Sequence, residues 1–307
     1  MYRQHFGLRE MPFGITPDTS YFFTSAHSQE ALNTLLVAAR SGEGFIKITG
    51  EVGTGKTLLC RKFLATIGDG FVTAYIPNPY LEPRTLMLAL ADELEVPLER
   101  DVDQHQMLKS ITHKLLEYAR DGKQVILCLD EAQAIPIESL EALRLLTNLE
   151  TEKRKLLQIV LFGQPELNRH LEVDSIRQLA QRITFHYHMG ALSRDDLDFY
   201  LAHRLRVAGF TGSRLFSQAA VKRLFAASKG IPRLVNIVAH KSLMLAYGEG
   251  RQQVDKKHVA MAAQDTVGGA GSGAAGGAAA ARVRLPWLVA AAGVLMAAGS
   301  VAWAVLK

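Results

Sequence analysis

The chain has 307 residues, 48% of them hydrophobic, and a formal net charge of +5. It can bury a core of one large or two modest domains, while so mild a charge does not choose between nucleic acid and an anionic membrane. Cys60 and Cys128 sit inside apolar runs without CxxC or ligand spacing. That excludes a disulfide framework and a zinc site, and it puts the bulk of the chain in a reducing compartment.

Residues 1–26 are aromatic and proline-punctuated (Phe6, Pro12, Phe13, Pro17, Tyr21, Phe22, Phe23) and read as an irregular arm. Met1 to Glu10 carries no apolar run of the kind a cleaved secretory signal needs. Ala31, Leu32, Leu35, Leu36 and Ala39 recur at helical spacing and predict a helix over 27–40. A strand over 45–49 leads into a glycine loop, followed by a helix over 58–67 and a strand over 72–76. Helices follow near 84–94 and 103–121, the second with Met107, Ile111, Leu115 and Tyr118 on one face. Residues 124–129 are nearly continuous in apolar side chains, as in a strand covered on both faces. A helix over 137–149, a strand over 156–162, short helices within 165–181 and a strand over 183–189 continue the alternation. Such alternation predicts an α/β fold with a parallel sheet, here a domain over 27–192.

After Leu192 the pattern changes to four helices, near 194–207, 217–227, 231–247 and 254–263, with no strand among them. They read as a separate helical domain over 193–265. Residues 266–284 form a linker, because 268–281 are glycine and alanine with one serine. Residues 285–306 carry no charged side chain, and Trp287 and Trp303 lie near the ends of the run. At about 1.5 Å per residue this run can cross a hydrocarbon core of about 30 Å, so a single transmembrane helix is expected. Arg282 and Arg284 precede it and only Lys307 follows. The positive-inside rule then places residues 1–284 in the cytoplasm.

Gly50-Glu51-Val52-Gly53-Thr54-Gly55-Lys56-Thr57 fits G-x-x-x-x-G-K-[ST] between a strand and a helix. Glycines let the backbone N–H groups turn toward phosphate oxygens, and the helix starting near Leu58 adds the positive end of its dipole. Lys56 is placed to meet the β- and γ-phosphates, and Thr57 to ligate Mg²⁺. Asp130 and Glu131 close the apolar strand 124–129, one to hold the Mg²⁺ shell and one to polarise the attacking water. The expected cofactors are therefore ATP and Mg²⁺. Gln164 after the fourth strand, Arg182 before the fifth and Arg233 at the start of a helix would complete a hydrolytic site. As isolated polar residues, each reads equally well as a cap or surface residue. The histidines show no ligand spacing, and no G-x-S-x-G elbow occurs.

Several segments together resemble one family: the arm Tyr2…Phe6-Gly7-Leu8…Pro12-Phe13…Thr16-Pro17-Asp18, Gly44-Phe45, Thr49 to Thr57, Asp130-Glu131-Ala132-Gln133 and Gly163-Gln164-Pro165-Glu166-Leu167. It is the AAA+ ATPases of the general secretion pathway protein A (ExeA-like) type, including the MSHA pilus biogenesis ATPase MshM. The resemblance covers residues 1 to about 265. It implies a P-loop AAA+ sheet domain with a C-terminal helical lid, a ring-type homo-oligomer and a bacterial inner-membrane location. Inner-membrane pilus or secretion assembly proteins would be the partners. It implies Gln164 at the sensor 1 position, although Asn, Thr or Ser is commoner there, Arg182 as an arginine finger and Arg233 as sensor 2. Secretion-type members carry a periplasmic peptidoglycan-binding domain after the membrane helix. None follows within this sequence, which brings the expectation closer to the pilus members.

The function expected is a membrane-anchored ATPase serving assembly of an envelope machine, MSHA-type IV pilus or type II secretion. The alternatives are a DNA-binding AAA+ regulator of the transposition-helper type, disfavoured by the membrane run, and a nucleotide switch with little turnover. Lysines and arginines do not cluster along one helix, so nucleic acid is not an expected partner.

Overall fold

The apolar runs become five strands of a single parallel sheet in the computed structural model. They are β1 (Phe45–Gly50), β2 (Phe71–Ile76), β3 (Gln124–Leu129), β4 (Leu157–Gly163) and β5 (Ile183–Met189), in the order β2-β3-β4-β1-β5. The structure describes residues 2–99, 102–150 and 155–270, with side-chain burial described as far as residue 266. Around the sheet lie helices α1 (Tyr2–His5), α2 (Ala26–Arg40), α3 (Lys56–Thr66), α4 (Pro83–Glu93), α5 (Gln104–Arg120), α6 (Ile137–Leu146), α7 (Glu166–Leu171) and α8 (Arg177–Ala180). Four more follow: α9 (Arg194–Val207), α10 (Gln218–Ser228), α11 (Pro232–Gly248) and α12 (Lys256–Ala270). This is the α/β fold with a parallel sheet that the strand–helix alternation predicts.

Both faces of the sheet are covered, which is why β3 and β4 read as unbroken apolar runs. Leu127, Leu129, Ile159 and Leu161 pack with Leu90, Ile111 and Leu143 of α4, α5 and α6. On the other face Ile46, Ile48, Val160 and Phe162 pack with Leu35 of α2 and Phe63 of α3. Cys60 and Cys128 belong to this second face as buried free thiols, and burial pushes the Cys60 thiol up. Several helices begin where a side chain accepts from an otherwise unpaired amide. Ser25 caps α2, Asp103 caps α5, Ser217 caps α10, and Ser193 with Asp196 forms a capping box on α9.

The arm departs from its reading as irregular. It contains a helical turn, and Tyr2, Phe6, Leu8, Phe13 and Tyr21 are buried in one cluster with Leu201, Leu224, Leu243 and Val259 of α9–α12. The Tyr2 hydroxyl lies 2.9 Å from His240 Nδ1, and the Phe13 ring meets Phe216 edge-on at 5.8 Å. The spacing of these aromatics has no single period, because they serve a long-range contact rather than a helix or strand.

Residues 1–266 form one compact unit. Helix α12 continues to Ala270, so the chain is still helical where the glycine-rich linker was expected to begin. The rest of that linker, 271–284, and the expected membrane span, 285–306, lie outside the described residues. Among the described residues no helix is long and apolar enough to cross a membrane.

Because Phe13 is 3% exposed, truncating it opens a cavity in the helical layer. Phe13→Ala is expected to lower unfolding stability by about 3–5 kcal/mol. The urea midpoint checks this, and a change within about 0.5 kcal/mol would mean that the arm is an unpacked tail.

Candidate active site

β1 lies between β4 and β5 and ends at Gly50, at the carboxyl edge of the sheet. The chain then curls through Gly53 (φ 83°) and Gly55 (φ 101°) before α3 begins at Lys56. Gly53 has two reasons to lack a side chain, since a Cβ there would stand 2.6 Å from Arg233 Cβ. Lys56 is 5% exposed and folds over the loop, with Nζ donating to the Gly50 carbonyl (2.7 Å) and the Glu51 carbonyl (3.1 Å). Burial pushes the Lys56 ammonium below the ordinary lysine value, while Glu131 and Asp130 pull it back up. Thr54 Oγ1 also donates to the Glu51 carbonyl (2.9 Å), whereas Val52 stands at the surface. These contacts gather a cation, a loop and the N-terminus of an 11-residue helix, a constellation suited to phosphate.

Asp130 and Glu131 follow β3 at the same edge. Asp130 is 2% exposed, and its carboxylate accepts from Glu131 N (3.0 Å) and from the Tyr75 hydroxyl (3.5 Å), while the nearby Thr57 hydroxyl favours its charged form. Burial pushes its carboxyl up. The contact between Thr57 and Asp130 sets two hard oxygen ligands side by side. No group of three or more His, Cys, Asp or Glu among the described residues could hold a metal. A pair of oxygens fits Mg²⁺, which is commonly held by few protein ligands together with water and substrate phosphates.

Glu131 sits in the left-handed region (φ 51°, ψ 39°), which costs a non-glycine residue roughly 1–2 kcal/mol. Two amides hold its side chain. Gln133 Nε2 donates to Glu131 Oε2 at 2.6 Å and Gln164 Nε2 donates to the same oxygen at 3.1 Å. Gln133 Oε1 in turn accepts from Gln164 N (2.9 Å), so one side chain joins the end of β3 to the end of β4. Burial pushes the Glu131 carboxyl up, but the bonds from Gln133 and Gln164, then the charges of Lys56 and Arg233, outweigh it. The carboxyl stays below the ordinary carboxylate value and is ionised at neutral pH.

Arg233 arrives from the helical layer at the first turn of α11, where its N–H donates to the Gly53 carbonyl (3.1 Å). Its side chain lines one hollow of about 180 Å³ with Lys56, Thr57, Leu58 and Glu131. Gly50 to Leu58, Asp130, Glu131, Gln164 and Arg233 are thus brought together. Arg182 is not. Phe45 pairs with Ile183 and Gly50 with Met189, so Arg182 stands at the opposite edge, roughly 20 Å away at about 3.3 Å per residue. There it donates to Asn148 Oδ1 (2.6 Å) and Thr147 Oγ1 (3.2 Å) beyond the end of α6.

Sequence reasoning gave no role to three parts of this site. Gln133 carried a signal, a polar residue two positions after the acidic pair, but its link to Gln164 is not visible in one dimension. Residues 14–18 of the arm, with Tyr200, Arg204 and Asn236, form the far wall of the hollow. Beside it a second, mainly apolar hollow is lined by Tyr21, Phe22, Phe23, Leu58, Met189 and Leu192. A larger hollow, about 290 Å³, lies between α9 and residues 210–216, and none of the motif residues reaches it.

Comparison with known proteins agrees with this fold. A family model described as an AAA domain matches residues 39–171. General secretion pathway protein A of Aeromonas hydrophila is 42% identical over 268 residues, which are 87% of this chain and 49% of that protein. The chain therefore spans about half the length of that relative. Among solved structures, Cdc6p from Pyrobaculum aerophilum superposes with a TM-score of 0.63 at 19% identity, covering 81% of this chain and 71% of that one. The Aeropyrum pernix ORC1 protein, solved in complex with DNA, gives 0.60 at 18% identity over 84% and 69%. The Thermotoga maritima RuvB Holliday junction branch migration motor gives 0.55 at 14% over 84% and 73%. At these identities the structures speak for the fold alone. The motifs, the sheet order and the secretion-protein likeness together place this chain among the AAA+ ATPases, similar to general secretion pathway protein A.

Proposed function

We propose that this chain is a membrane-anchored ATPase that couples MgATP binding and hydrolysis to assembly of a bacterial envelope machine, MSHA-type IV pilus biogenesis or type II secretion. The observation that supports hydrolysis is the convergence of Lys56, Thr57, Glu131 and Arg233 on one hollow at the carboxyl edge of the sheet, with Asp130 buried next to Glu131. The envelope role rests on the likeness to a relative named for the secretion pathway. In this reading the P-loop amides and Lys56 bind the phosphates, and Thr57 and Asp130 hold Mg²⁺. Mg²⁺ held there would neutralise the negative charge that develops on the phosphates.

Glu131 accepts the proton of the attacking water. Both amides converge on Oε2, which leaves Oε1 to the water and holds the base ionised. Residues 193–265 serve as the lid and bring Arg233 to the phosphates. Arg182 cannot reach its own P-loop from the far edge of the sheet, so a finger role places it at a neighbour's nucleotide in a ring-type homo-oligomer. The run 285–306 anchors the chain in the bacterial inner membrane with residues 1–284 in the cytoplasm, next to membrane lipid and inner-membrane assembly proteins.

Lys56→Ala is expected to abolish ATP binding, whereas Glu131→Gln retains binding and loses about 10²–10⁴-fold in turnover. Nucleotide titration and phosphate release check this pair. Equal turnover in wild type and Glu131→Gln would remove Glu131 from the mechanism.

Arg182→Ala should bind ATP normally yet lose assembly-dependent hydrolysis. Mixing it with Glu131→Gln protein should restore part of the rate, because some mixed interfaces contain one intact site. Co-assembly without restoration would make Arg182 a purely structural contact to α6.

A reporter fused after Lys307 should read as periplasmic, and the full chain should need detergent for extraction from membranes. Fractionation with the cytosol would sink the anchor and favour the DNA-binding alternative.

A further inference from the structure

We propose that Arg204 is a positioning residue for the nucleotide site, holding residues 12–18 of the arm as a strap along one wall of the cleft. The proposal rests on the reading of that cleft as a nucleotide site. Arg204 lies in the middle of α9 and is 5% exposed, yet no ion pair among the described residues includes it. Its three nitrogens are spent otherwise. Nε donates to the Pro12 carbonyl (2.6 Å), Nη2 to the Gly14 carbonyl (3.1 Å) and Nη1 to the Tyr200 hydroxyl (3.3 Å). The guanidinium also lies 4.5 Å from the Tyr21 ring centroid and 5.7 Å from that of Tyr200. A buried cation with no carboxylate at ion-pair distance is a costly way to fill space that methionine would fill more easily. What only the planar fork supplies is two fixed donors for two backbone carbonyls.

The strap depends on such bonds. Residues 14–20 have no buried side chain, and Ile15 is 58% exposed, so packing does not place this stretch. Backbone carbonyls do, from elements that all reach the site. The Gly14 carbonyl also accepts from Asn236 Nδ2 (3.4 Å), one turn of α11 after Arg233, and Asn236 Oδ1 accepts from the Tyr200 hydroxyl (2.8 Å). The Pro17 carbonyl accepts from Arg61 Nη1 (2.8 Å) on α3, the helix that starts at Lys56. The strap is therefore tied to the P-loop helix at one end and to the helical layer at the other. Between these ties Gly14 to Asp18 face the hollow that Lys56 and Glu131 line. Arg204 sets the width of that hollow without touching the reacting atoms.

The test uses the full chain in detergent, with ATP as the probe. Arg204→Lys keeps the charge and loses the fork. It should weaken ATP binding roughly tenfold, the equivalent of about one lost charge-assisted hydrogen bond, and raise KM alike while kcat at saturation stays within about twofold. Arg61→Ala cuts the other tie and should weaken ATP in the same direction. In the double variant the combined loss should fall short of the product of the single losses, because a strap freed at one end has little left to lose at the other. A merely structural role would lower the melting temperature without that coupling in affinity. If Arg204→Lys does not fold, Asn236→Ala replaces it in the same cycle with Arg61→Ala. ATP affinity within twofold of wild type, or single effects that simply multiply, overturns the proposal alone. A wild-type chain that binds no ATP overturns the nucleotide reading and this proposal with it.

Discussion

The placement of β1 between β4 and β5 is the constraint on which the site depends. Parallel strands put all their carboxyl ends on one edge, and hydrogen-bonded register decides which ends become neighbours. Thr49 stands beside Gly163 and Gly50 beside Met189, so the P-loop leaves the sheet next to Gln164. Leu129 stands beside Leu161 one strand further, which sets Asp130 and Glu131 against the same loop. Lys56, Thr57 and Glu131 then share one hollow without any long loop reaching across. The same register carries Arg182 to the opposite edge, where it bonds to Thr147 and Asn148 beyond the end of α6.

A second constraint works at right angles to the sheet. The helical layer touches the P-loop through backbone, Arg233 N–H to the Gly53 carbonyl, at a glycine whose missing Cβ permits the approach. That layer shares its apolar core with the N-terminal arm, so the first residues of the chain and the last described helices stabilise one another. The arm leaves this core after Phe13, runs past the cleft and rejoins the core at Tyr21 before entering α2. Nucleotide site and helical core are therefore joined by a short stretch whose own side chains contribute no packing.

Burial acts on the ionisable groups of the cleft in opposite directions, and the net state of each follows from its partners. Lys56 and Asp130 are the more deeply buried, and desolvation prevails in both, the ammonium driven down and the carboxyl up. Glu131 is less buried and receives two amide donors, so its charged form prevails. Two neighbouring carboxyls are thereby set apart chemically, Asp130 pushed up by burial and Glu131 held down by its amide partners.

Much of this was legible in one dimension because it is local. Strand and helix follow apolar periodicity, the glycine loop announces its own backbone angles, and an acidic pair at the end of an apolar run marks a strand entering a polar cleft. The expected membrane run, 285–306, is likewise a local feature, a length of uncharged sequence. The tertiary structure alone decided the strand order, the burial of the arm, the amide bridge through Gln133, the bonds from Arg204 to the arm's carbonyls and the far position of Arg182. Each of these joins residues far apart in the chain or fixes register between strands. Sequence periodicity records which face of an element is apolar, but not which element will cover it.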